Sequence, residues 1–129
     1  MRDDRPKEEN SMRFLFLVYA DEAAMKSRPM EELRECVRAG REYDEVLKRD
    51  GNFVASHGLE WSSSATVLRK RSGKVVSTDG PFSETKEQLL GFFLVEAKDR
   101  AEALALASNV PMLETGSSVE VRPVQDIPD

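Results

Sequence analysis

Apolar residues along this chain fall either into unbroken runs or into rows three and four apart, and the alternation of the two sets out the fold. Met12 to Ala20 (MRFLFLVYA) is almost wholly apolar and rich in strand-forming side chains, which predicts a strand covered on both faces. A polar connection follows from Asp21 to Pro29, and Pro29 suits the first turn of a helix. Met30, Leu33, Val37, Gly40, Tyr43 and Leu47 then recur at helical spacing. Glu31/Arg34, Glu35/Arg38, Asp44/Lys48 and Glu45/Arg49 supply charge pairs on the opposite side. Asp50-Gly51 closes that helix.

Asn52 to His57 reads as a second strand ending at Gly58. Thr66 to Leu68 and Lys74 to Ser77 read as a hairpin closed around Ser72-Gly73. A polar break from Asp79 to Leu90 leads into Gly91 to Ala97 (GFFLVEA), a third core strand. Asp99 followed by Glu102 opens a short helix with a capping-box pattern. Its apolar side is Ala103, Leu106 and Ala107, and Asn109 and Pro111 end it. Alternation from Ser118 to Arg122, with Val119, Val121 and Val124 apolar, gives the last strand.

The order is β-α-β, an inserted hairpin, then β-α-β, which predicts an α+β fold of ferredoxin-like split βαβ type. In that topology the first and third core strands are central, and these are the two that read apolar on both faces. Two helices cover one face of such a sheet. The chain offers no third helix for the other, so a second copy of the sheet is the economical cover and a homodimer is expected. The alternative is that the inserted hairpin folds back over the open face.

A chain of 129 residues suits one domain, expected over residues 12–129, behind a polar tail at 1–11 that mixes both charges. The net charge of −5 argues against nucleic acid. The one basic cluster, Arg69, Lys70, Arg71 and Lys74, reads as a solvated hairpin tip. No apolar run approaches the ~20 residues of a membrane span, and residues 1–11 lack the apolar stretch of a signal peptide. A single cysteine, Cys36, makes no internal disulfide and reads as a small core residue. The expected location is the cytoplasm, with no membrane partner. One histidine and one cysteine on different elements do not make a zinc site, and no GxxxxGK loop is present. No cofactor is expected.

Residues 79–88 (DGPFSETKEQ) are the segment with chemical potential. Asp79-Gly80-Pro81 forces a turn that holds Asp79 at a strand end and sends Phe82 toward the core. Ser83, Glu84, Thr85 and Lys86 crowd polar groups behind it. Asp79 either caps the turn or serves a bound molecule as general acid or base. In the second case Phe82, Glu84, Thr85 and Lys86 would line a small-molecule site. Trp61 would be a lid on the cleft or a dimer contact. His57, the one histidine, is either structural beside Gly58 or a proton carrier for Asp79.

The stretch DGPFSETKEQLLGFFLVEA resembles the signature of the DGPF group within the YCII-related proteins. MRFLFLVYADE at Met12 to Glu22 is similar to the family's first strand, Asn52 to Trp61 to its second, and Val119 to Pro123 to its closing strand. The resemblance spans nearly the whole chain from Met12. It implies a dimeric α/β-barrel built from ferredoxin-like halves. It also implies a suspected enzyme, since some members carry a His–Asp pair near a cleft. Association with extracytoplasmic-function sigma factors is implied as the alternative, a non-catalytic accessory role. Asp79 matches the motif aspartate, and Gly80, Pro81, Phe82, Glu84, Thr85 and Lys86 match as well. The family histidine near the start of the first helix has no counterpart here, because Arg28 to Cys36 contains none.

Overall fold

The computed structural model describes residues 11–126, so the expected tail lies, but for Ser11, outside the described residues. The chain runs β1 (Met12–Asp21), α1 (Glu22–Lys26), α2 (Met30–Arg49), β2 (Phe53–Gly58), β3 (Thr66–Arg71), β4 (Lys74–Asp79), β5 (Glu87–Ala97), α3 (Arg100–Ala107) and β6 (Ser118–Pro123). Short 3₁₀ turns occupy Ser62–Ser64 and Pro111–Thr115. Helices and antiparallel strands mix in one chain, as an α+β fold requires. The main sheet has the order β2-β5-β1-β6, so each β-α-β unit straddles a strand of the other, and β3-β4 forms a separate ribbon.

The pleat of the central strands sorts the core. Phe14, Phe16, Val18 and Ala20 of β1 and Phe93, Val95 and Ala97 of β5 turn to one face and are buried. Tyr43 and Leu47 of α2, Ala103 and Ala107 of α3 and Val110 close over them. The Tyr43 ring meets Phe93 edge-on at 5.0 Å and 87°, and its hydroxyl donates to the Leu106 carbonyl at 2.7 Å. One side chain thereby ties α2 to both β5 and the end of α3. Burial, with Asp44 beside it, raises the Tyr43 phenol above its ordinary value of 10.0.

The expected double cover of β1 is half realised. Its second face, Leu15, Leu17 and Tyr19, is only partly buried, and no helix among the described residues lies on it. The cross-strand pairs Leu15–Leu94 and Leu17–Phe92 form an apolar patch there, with Ala55 and His57 of β2 beside it. Arg13–Glu96 at 3.5 Å and Tyr19–Glu120 at 3.3 Å bound it with polar groups. The ribbon does not fold back over this face in more than marginal contact.

Local expectations held where the signal was a period or a cap. Asp99 accepts from the Glu102 amide at 2.8 Å while the Glu102 carboxylate accepts from the Lys98 amide at 2.9 Å. Pro29 stands just ahead of α2 rather than inside its first turn, and α1 falls in the expected polar connection. Met30 and Val37 of the helical row are 62% and 54% exposed. They lie off the seam, which runs through Leu33, Cys36, Gly40, Tyr43 and Leu47.

Gly91 sits where β5 passes closest to β2. A Cβ there would stand 2.8 Å from the His57 carbonyl oxygen and 3.2 Å from the Gly58 Cα. Both obstacles are backbone, so Gly91→Ala should cost about 1–3 kcal/mol in urea denaturation, as overpacking does. Tyr43→Phe should lose about 1 kcal/mol at neutral pH through the hydroxyl's hydrogen bond. The two proteins should also differ in alkali. A phenol whose folded pKa is raised contributes stability below its unfolded value, and that contribution is lost as the pH rises through and beyond it. Wild type should therefore weaken above pH 10.0 by more than Tyr43→Phe does.

Candidate functional site

A cleft of about 660 Å³ opens where the end of β1, α1, the Ser62–Ser64 turn and the loop after β4 meet. Its wall includes Asp21, Glu22, Lys26, Ser62, Asp79 and Glu84, with Gly80, Pro81, Thr85, Lys86 and Gln88 continuing it.

Each wall is set by a short-range device. Asp21 ends β1 and begins α1, accepting from the Ala24 amide at 3.1 Å. That cap directs Glu22 across to the 3₁₀ turn, where its carboxylate accepts from the Ser62 amide at 2.7 Å and from the Ser62 hydroxyl. Gly80 has φ 102, a left-handed conformation, and its amide donates to the Ala65 carbonyl at 2.7 Å. The turn at the foot of the ribbon is thereby closed onto the chain that enters β3. The Gln88 side-chain amide donates to the carbonyls of Ser83 at 2.7 Å and Thr85 at 3.0 Å, and the Thr85 hydroxyl donates to the Glu87 carbonyl at 2.6 Å. These bonds hold the Ser83–Lys86 loop against the start of β5.

The structure brings Asp79, Glu84, Thr85 and Lys86 together on one cleft. Lys86 reaches back to Asp21 at 3.7 Å. The Asp79 carboxylate is exposed to the cleft and has no hydrogen-bond or ion-pair partner among the described residues. The other candidates stand elsewhere. Phe82 is 78% exposed rather than turned to the core, with the Arg69 guanidinium over its ring at 5.2 Å. The left-handed Gly80 and the loop bonds aim residue 82 at the ribbon, where a cation meets it. Trp61 lies beside the cleft rather than on its wall, and the Lys26 ammonium sits 5.2 Å over its ring. His57 is on the open face of the sheet, tilted on Phe92 at 5.9 Å, and is not among the cleft residues.

Asp21, Glu22, Lys26, Ser62 and Gln88 join the site without having been singled out from the sequence. An aspartate directly after an apolar run and ahead of a glutamate was the available signal, since it marks a strand running into a helix cap. Nothing along the chain links Glu22 to Ser62. Among the described residues no three His, Cys, Asp or Glu side chains converge as metal ligands would.

A model of the YCII-related domain matches residues 12–128. The chain belongs to the YCII-related family. An uncharacterized protein of Rhizobium meliloti (strain 1021) is 34% identical over 118 residues, covering 88% of this chain and 92% of that protein. Of the described helices of this YCII-related protein, none is long and apolar enough to cross a membrane.

If Gln88 is what fixes the cleft's loop, Gln88→Leu should act locally. We expect amide exchange across residues 83–87 to quicken about tenfold, as for a locally opening segment. The unfolding midpoint should move by only a few degrees, the effect of about 1 kcal/mol in a domain of this size.

Proposed function

We propose that this YCII-related protein binds a small polar molecule in the cleft at the Asp79 turn, as a homodimer, with Asp79 as acid or base. The observation that carries the reading is the unpartnered Asp79 carboxylate on a cleft wall that is otherwise tied down. Asp21 is engaged by a helix amide and by Lys86, and Glu22 by Ser62. Asp79 and Glu84 are left to receive a ligand, together with the outer side of Lys86. A pair of unengaged carboxylates favours a ligand that presents hydrogen-bond donors or positive charge toward them, with an acceptor toward the lysine.

The dimer reading rests on the open sheet face. Leu15, Leu17, Phe92 and Leu94 form one contiguous patch bounded by charge, the pattern of an association surface. A second copy of the same face would bury it and complete a barrel of two sheets. In this reading His57 lies toward the dimer contact and Asp79 works without it. The alternative, a non-catalytic accessory protein acting beside an extracytoplasmic-function sigma factor, draws on the thin chemical inventory of the described residues.

The test is a thermal-shift screen of wild type, Asp79→Asn and His57→Ala against a broad library of polar metabolites. A ligand that binds the folded state raises the midpoint in proportion to the logarithm of its concentration, by about 2.7 kcal/mol at a hundredfold excess over Kd. We expect hits among cationic or polyhydroxylated compounds, lost in Asp79→Asn and kept in His57→Ala. A library without hits, or hits indifferent to residue 79, would favour the accessory role.

A further inference from the structure

The ribbon β3–β4 is the part of the molecule that its own fold supports least. Its strands pair with each other over six rungs, from Thr66–Asp79 to Arg71–Lys74, and touch no other strand or helix beyond marginal contact. A lone two-stranded hairpin is marginal in water. The register distributes apolar side chains over both of its faces. One face carries Leu68 opposite Ser77 and Val75 opposite Lys70, and these two apolar residues are 65% and 66% exposed. The other carries Val76 opposite Arg69, with Phe82 beneath the arginine. A hairpin that needs only to be soluble has no use for Leu68, Val75 and Phe82 in the open.

Charge selects the occupant. Arg69, Lys70, Arg71 and Lys74 against Asp79 give residues 66–79 a net charge of +3, on a chain whose total is −5. The rest of the chain therefore carries −8, and opposite net charges favour association of the ribbon with a second copy. A cationic, partly apolar arm on an acidic body complements itself across a two-fold axis.

We propose that the β3–β4 ribbon is an arm that docks on a second copy of this chain, and that docking fixes the Asp79–Pro81 turn at its foot so that the cleft is completed in the dimer. The proposal rests on the homodimer reading above and adds to it a contact away from the sheet face. The link to the cleft is covalent and short. Asp79 forms the last rung with Thr66, the Gly80 amide donates to Ala65 at 2.7 Å, and Pro81 follows on the cleft wall. Whatever orders the ribbon orders that wall. By linkage, a ligand held at Asp79 tightens the dimer by the factor by which the dimer tightens the ligand.

The experiment is amide exchange of the full wild-type chain, dilute and concentrated, with sedimentation equilibrium on the same samples. The expected result is a dimer in which β3, β4 and residues 80–86 exchange about tenfold more slowly once the protein associates. Leu68→Ser/Val75→Ser, folded by circular dichroism, should lose that protection, and its dimer should weaken about tenfold or more, the loss of one modest apolar contact region. Added salt should weaken the wild-type dimer in the same direction. Phe92→Asp separates the two readings. If it abolishes the dimer while Leu68→Ser/Val75→Ser associates as wild type and the ribbon exchanges equally fast at both concentrations, the arm is overturned and the sheet dimer stands. A wild type that is monomeric throughout overturns both. Ribbon amides protected equally at every concentration, or a monomer that retards duplex DNA, would also overturn the arm. The wild-type comparison decides even if a variant fails to fold.

Discussion

Phe14 and Phe16 on β1 and Phe93 and Val95 on β5 form a double row that must be kept from water, and the arrangement of the chain follows from that demand. The two strands lie side by side at the centre of the sheet, so a single layer of helix covers both rows. α2 and α3 meet over them, and the Tyr43 hydroxyl on the Leu106 carbonyl fixes how closely they meet. The Leu106 carbonyl near the end of α3 also accepts from the Asn109 amide at 3.1 Å, so the Tyr43 hydroxyl from the neighbouring helix fills a second acceptor position of the same oxygen. Side chains one position away on the same strands, Leu15, Leu17, Phe92 and Leu94, are necessarily delivered to the other face by the pleat. The core that holds the fold together thus creates the surface that the fold leaves open.

Central strands announce themselves because both faces are apolar, and the sequence alone carries that signal in MRFLFLVYA and GFFLVEA. The helix limits at Gly51 and Asp99 were legible for a similar reason, since caps are local chemistry. Legibility ended where geometry depends on partners distant in sequence. β5 begins at Glu87 rather than Gly91 because its first residues pair with the end of β1, past an irregularity in the register at Val18/Tyr19. No pattern in EQLL records that pairing. α1 is five residues long, too short to show a period. Phe82 was misjudged because an aromatic residue in a turn normally seeks the core, and here it finds the Arg69 guanidinium instead.

Of the residues expected from the motif segment, Asp79, Glu84, Thr85 and Lys86 line one cleft. The opposite wall was not legible. Asp21 and Glu22 come from the end of the first strand, and they face the loop only because β1 and β5 are antiparallel neighbours, which brings the end of one strand to the start of the other. His57 was a candidate on chemistry alone. Its placement beside Phe92 follows from strand parity, since Ser56, one position away, turns to the helices and bonds Asp44 at 2.8 Å.

The position of the cleft also bears on what kind of site it can be. It lies at the margin of the sheet, between the end of a core strand and a ribbon without a core of its own. One wall, Asp21 and Glu22, is anchored through β1 to the most buried residues of the molecule. The other, Asp79 to Pro81, is closed by the Gly80–Ala65 bond but is carried on the ribbon, so its place relative to the first wall depends on how well the ribbon itself is held. A ligand bound as proposed would order the second wall, and its affinity would be reduced by the fraction of molecules in which that wall is misplaced. Any contact that steadies the ribbon therefore raises affinity without touching the ligand. In the dimer proposed above, association and recognition would not be separate properties, because a contact that covers the exposed Leu68 and Val75 would also steady Asp79, which forms the ribbon's last rung with Thr66.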